Sequence, residues 1–136
     1  MPETSTVERA WEDLRRGKSA TTAAGEFVHE EIEHIRRGKH GARSTKQAIA
    51  IGLSKARCAG VPLKPPQRGQ TSEKTHQSAS RAYEAGRKAP YRKPASAKRS
   101  RAISAALKRE SHKAASKQSL SQQAKGAARR KARRAH

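Results

Sequence analysis

Residues 29–34 read His-Glu-Glu-Ile-Glu-His, which puts two imidazoles and three carboxylates into six consecutive positions. Such groups build zinc helices and general acid–base pairs. The spacing argues against the metal. Histidines at i and i+4 lie about 40° apart around a helix and can close on one ion, whereas His29 and His34, at i and i+5, lie about 140° apart. The segment therefore predicts no metal ligand set and no cofactor. Glu30 with Glu33 or His34 could serve as acid and base, but a solvated acidic helix face accounts for the same residues. The sequence holds no G-x-x-x-x-G-K, no G-x-G-x-x-G, no nucleophile-elbow pattern and no Cys/His cluster. A binding protein is expected, not an enzyme.

The other chemistry is that of lysine and arginine. The formal net charge is +21, and it is unevenly divided. Residues 1–60 carry 11 Lys/Arg against eight acids, while residues 61–136 carry 21 against three (Glu73, Glu84 and Glu110). A polyanion relieves the self-repulsion of such a segment, because Lys and Arg displace its condensed counterions. Nucleic acid is the expected partner, with DNA favoured over RNA.

Three helices account for the first sixty residues. Val7, Ala10, Trp11 and Leu14 fall at i, i+3, i+4 and i+7, predicting a helix from Ser5 or Thr6 to Arg16, anchored in the core by Trp11 and ended by Gly17. A second helix, from Thr21 or Thr22 to Arg37, carries Ala24, Val28, Ile32 and Ile35 as its stripe, with acids early and bases late, and ends at Gly38. Ser44 to Gln47 is a capping box of the S-x-x-Q kind. The helix it starts runs through AIAIGL to about Arg57, with Gly60 as C-terminal cap. Apolar residues nearly encircle this third helix, so it is expected to be the most buried. Arg43, Lys46, Lys55 and Arg57 at its ends are either secondary phosphate contacts or the solvated ends of a core helix.

Residues 25–61, GEFVHEEIEHIRRGKHGARSTKQAIAIGLSKARCAGV, resemble a family of small basic bacterial proteins with a KQAIAIGLSKAR-type core and a Lys/Arg/Ala/Ser-rich tail. That family has no assigned biochemical function. The resemblance implies a bacterial cytoplasm or nucleoid and brings no catalytic residue. Cys58 stands where another basic residue would be expected. As the single cysteine it excludes an internal disulfide and fits a reducing compartment. The polar start MPETSTVERAWED and the lack of any long apolar run predict a chain with no secretory signal and no membrane span.

Beyond residue 60 the sequence changes character. VPLKPPQRGQ, residues 61–70, reads as an extended proline-rich linker, and APYRKP, residues 89–94, as a second break. Around them lie three loosely similar segments, about 71–88, 96–110 and 116–134, each opening on Ser or Thr and rich in Ala, Lys and Arg. In texture they look like the Lys/Ala-rich arms of bacterial linker-histone-like proteins. Few apolar residues occur there to offset the ordering entropy, so residues 71–136 are expected to be disordered or conditionally helical. The fold expected is all-α: a three-helix unit over residues 5–60, a linker, and a basic tail. The leading phosphate contacts are Arg99, Arg101, Lys108, Arg109, Arg129, Arg130, Lys131, Arg133 and Arg134. Tyr83 and Tyr91 make no regular stacking platform, so backbone binding is expected over base readout. The function expected is sequence-tolerant, nucleoid-associated DNA binding. The alternatives are an RNA- or ribosome-associated protein, and a plasmid-maintenance regulator that meets a protein partner through its N-terminal helices.

Overall fold

The computed structural model describes residues 3–88 and 97–135, with the side chains of 97, 99, 100 and 135 outside the description. Six α-helices and one 3₁₀ turn stand among the described residues, and no strand. They are α1 (Thr4–Arg15), α2 (Ala20–Arg36), α3 (Thr45–Cys58), α4 (Glu73–Lys88), α5 (Ala97–Lys108), the 3₁₀ turn Lys113–Ala115 and α6 (Lys117–Ala135). The chain is all-α, and no described helix is long and apolar enough to cross a membrane.

Local chemistry sets the helix ends. Serine hydroxyls accept from an amide three residues on at Ser19 (Thr22 N–H, 3.2 Å), Ser44 (Gln47, 3.1 Å), Ser72 (Thr75, 3.2 Å) and Ser116 (Ser119, 3.1 Å). At the capping box the Gln47 side chain reaches back to the amide of Arg43, one residue before the cap, at 2.6 Å. The first three helices close in the same way. The amides of Lys18, Lys39 and Val61 each bond, at 3.0 Å, the carbonyl five residues back, across a glycine of positive φ. This is the Schellman arrangement, and it fixes the three turns predicted from Gly17, Gly38 and Gly60.

Packing departs from the pattern of large apolar residues. Trp11 is only half-buried, and Ala10 is the stripe residue of α1 that is fully buried in the core, with Val7 and Leu14 packed against the same cluster. The reason is close approach: Ala10, Ala23, Ala24, Ala56 and Ala59 surround Phe27, the largest fully buried side chain. α3 likewise buries a stripe of small residues, Ala48, Gly52 and Ala56 at i, i+4 and i+8, while Ile49 and Ile51 stay half-exposed. More of α2 is buried than of α3, and it includes Glu30 and Glu31, which the sequence pattern assigned to a solvated face.

The acids are inside because they have partners there. Glu30 Oε1 accepts from the Glu3 amide at 2.6 Å and from the Thr6 hydroxyl at 3.0 Å, which satisfies the start of α1 from a neighbouring helix. Glu31 Oε1 accepts from the Lys55 ammonium.

The body does not end at residue 60. Residues 61–67 hold no helix and make a tight turn at Pro62, where the Leu63 amide bonds the Val61 carbonyl at 2.7 Å; Val61 is buried and Leu63 packs on the Phe27 cluster. Helix α4 lies on α3 through Ala79, Ala82 and Gly86, and Gly86 lies against the carbonyl of Arg57. A second cluster around Ile32, Ile35, Ala42 and Ala48 is closed by Ala114, Ala115 and Leu120 from the basic segment. Polar bonds reinforce that docking. The amides of Gly41 and Ala42 bond the carbonyls of Leu107 (2.8 Å) and Ser111 (2.9 Å). The Thr45 hydroxyl and Arg36 Nε donate to the carbonyls of Ala114 (2.6 Å) and Ala115 (3.0 Å). Helices α1 to α3 thus leave the Ile32–Ile35 stripe for residues 107–120 to cover.

Candidate nucleic-acid interface

The docked turn and α6 form a groove of about 540 Å³ with the start of α3. Arg43, Ser44, Thr45 and Lys46 make one wall. Ser111, Lys113 and Ala114 make the floor, and Ser119, Gln122, Gln123, Gly126 and Arg130 of α6 make the other wall. These α6 positions recur at helical spacing, so the face it turns inward is polar and small. The capped start of α3 brings the positive end of a helix dipole to the same place, and the Thr45 and Lys46 amides have no protein acceptor among the described residues.

Four cations converge on this groove, and it has no carboxylate in its lining. Arg43, Lys46, Lys113 and Arg130 are exposed, and none forms an ion pair among the described residues. Cations of α1, of the turn after it and of α2 are engaged differently. Arg9 pairs with Glu26 (3.1 Å), Arg15 and Arg16 with Glu12 (2.7 and 3.0 Å), Lys18 with Asp13 (3.4 Å) and Arg36 with Glu33 (3.4 Å). The two arginines beside it hold the Glu12 carboxyl below the usual carboxylate value.

The predicted secondary contacts therefore split. Arg43 and Lys46 line the groove, while Lys55 and Arg57 are committed elsewhere. Lys55 holds the buried carboxylate of Glu31. Arg57 is 8% exposed and donates from Nε to the Leu63 carbonyl at 3.1 Å, with a longer contact from Nη2 to the Lys64 carbonyl at 3.4 Å. Burial holds its guanidinium below the usual arginine value. It fastens residues 61–66 to α3 and is not offered to phosphate, because the proline-rich segment needs donors for its unpaired carbonyls.

Of the leading contacts, Arg130 reaches the groove. Arg129, Lys131, Arg133 and Arg134 are exposed along the last turns of α6, and a long contact joins Arg134 Nη2 to the Gln70 carbonyl at 3.4 Å. Arg101 and Lys108 are exposed on α5, and Arg109 just after it. The side chain of Arg99 lies outside the described residues. Composition alone passed over Lys113, Gln122 and Gln123. A signal was present for the two glutamines, whose spacing from Arg130 puts them on its face of α6.

Cys58 is exposed at the end of α3, and the protein around its thiol raises its pKa, which leaves it a poor nucleophile at neutral pH. Comparison of the chain with protein-family models, curated proteins and solved structures finds no match.

Proposed function

We propose that the protein is a sequence-tolerant nucleic-acid-binding protein, acting on duplex DNA as a nucleoid-associated, histone-like component of a bacterial cytoplasm, and that it is not an enzyme. The observation that carries this reading is the convergence of Arg43, Lys46, Lys113 and Arg130 on a groove without carboxylates, in a chain of net charge +21. A phosphate in the groove would meet guanidinium and ammonium groups, the two unpaired amides of α3 and the amide groups of Gln122 and Gln123. The exposed cations of α6 would continue the track along the backbone.

In this reading α5 and the stretch of α6 beyond Leu120 are conditionally helical arms on a folded body, and bound phosphate would order the α6 wall of the groove. Neither helix has a fully buried residue among those described, and of the two large apolar residues of α5, Ile103 is 50% exposed and Leu107 half-buried. Such helices gain little from packing, and their like charges oppose them until phosphate neutralises the arginines and lysines.

The test is the salt dependence of duplex binding. A protein that neutralises about 6 to 10 phosphates loses roughly 10³ to 10⁵ in affinity between about 50 and 200 mM salt, with little difference between unrelated sequences. Competition by structured RNA distinguishes the polymers: an RNA that displaces the duplex at equal phosphate concentration makes the protein an RNA binder.

A further inference from the structure

The His29–His34 spacing excludes a zinc helix, but the turn after α2 gives His34 a different partner. Gly38 reverses the chain, and residue 40 comes back over the end of the helix, bringing its imidazole to Glu31 and His34. One donor atom each from Glu31, His34 and His40 lies within 4.8 Å of the other two. We propose that Glu31, His34 and His40 form a site for a divalent transition metal, with zinc the best-fitting ion.

The hydrogen bonds of the two rings orient them for this. His40 Nδ1 lies 2.9 Å from the carbonyl of Gly41, which can only accept, so the proton sits on Nδ1 and Nε2 presents a lone pair. That lone pair faces Glu31 Oε2 at 3.2 Å. Two acceptors in contact need a positive centre between them, either a second proton on the ring or a metal ion. Glu31 is 1% exposed, and its Oε2 has no hydrogen-bond partner among the described residues, since the His40 contact is not aligned as a hydrogen bond. His34 has the matching arrangement. Its Nε2 lies 3.3 Å from the Glu3 carboxylate, so a proton there leaves Nδ1 free, 3.9 Å from Glu31 Oε1. Each ring thus gives one nitrogen to an outer acceptor and turns the other inward, the pattern in which a carboxylate or carbonyl fixes a metal-binding histidine.

The donor set suits zinc. Two imidazoles and one carboxylate are a common three-ligand set for zinc, with ligands at about 2.0–2.2 Å and an open fourth position for water. Such a tetrahedron separates its ligand atoms by about 3.4 Å, so the trio, whose donor atoms lie within 4.8 Å of one another, must close by up to about 1.4 Å, with His34 Nδ1 turning from Oε1 toward Oε2. The Lys55 ammonium occupies the other oxygen, Oε1, and leaves Oε2 to the metal. An ion here would pin the turn that carries Gly41, Ala42 and Arg43, which holds the Leu107 and Ser111 carbonyls and one wall of the groove.

The experiment is calorimetric titration of zinc alone into the full chain after chelator treatment, followed by thermal melts with and without the metal. The expected result is one zinc per chain and a melting temperature raised by several degrees. His34→Ala and His40→Ala should each weaken binding on the order of 100-fold or more, Glu3→Gln should weaken it by about 10- to 100-fold through the outer contact, and His29→Ala should change nothing. His40→Ala leaves Glu3, Glu30 and His34 intact, a neighbouring group of possible donors, so zinc binding that persists in this variant overturns the proposal. So does a stoichiometry well below one in the wild-type chain.

Discussion

Gly52 of α3 lies directly over Val28 of α2, so that a Cβ built on the glycine would come within 2.6 Å of the valine Cα and 2.9 Å of its Cγ2. The two helices meet backbone to backbone along Ala48, Gly52 and Ala56, and no side chain at position 52 could swing aside. Gly52→Ala should destabilise the fold by about 1–3 kcal/mol, the usual cost of overpacking, despite alanine's better helix propensity. A chemical denaturation midpoint moved downward would bear this out. A midpoint moved upward would place α2 and α3 farther apart than described.

Arg57 should prove structural. Its guanidinium donates to carbonyls of the proline-rich segment, and Arg57→Met leaves those partly buried acceptors without their charged donor at a cost of about 1–2 kcal/mol. Duplex affinity of the variant, measured well below its melting temperature, should match that of the wild type. An affinity loss without a stability loss would return Arg57 to the phosphate contacts.

Truncation should show where the folded body stops. Removing residues 121–136 deletes most of α6 but keeps Ala114, Ala115 and Leu120 over Ile32 and Ile35, so the melt should change little. Removing residues 97–136 uncovers that cluster and strands the amides of Gly41 and Ala42, and should lower the melting temperature clearly. Equal melts for the two fragments would mean that the basic segment does not dock.

What the sequence made legible was local. The ends of the first three helices to within about two residues, the Ser44 cap and the terminating glycines were readable, because each depends on residues within one turn of chain. Ser19, which caps α2 at Ala20, lies before the expected start at Thr21 or Thr22. The core was harder to read. Alanine and glycine carry little hydropathy signal, so Trp11 was favoured over Ala10 as the anchor of a stripe that held both, the face of α3 was hidden behind its isoleucines, and Ala114–Ala115 within a run of basic residues. Burial of Glu30 and Glu31 was also hidden, since it depends on Thr6 and Lys55, 24 residues away from each in sequence. The groove was half legible: its cations stood out by type, while their meeting required the docking of residues 107–120. His40 was overlooked because periodicity was sought within one helix, and the partner of His34 lies past the turn.

The central claim is that the groove holds phosphate, and it is tested most directly by neutralising its walls. In the triple variant Arg43→Gln, Lys46→Gln, Arg130→Gln, each lost contact should lower the slope of log affinity against log salt by about 0.9 on duplex DNA, so the total drop should approach about 3. A control variant changing Arg9, Arg15 and Arg16 to Gln, cations already paired with Glu26 and Glu12, should leave the slope nearly unchanged. If the groove variant keeps the wild-type slope, or the control loses as much, the groove is not the site of binding and the account is wrong.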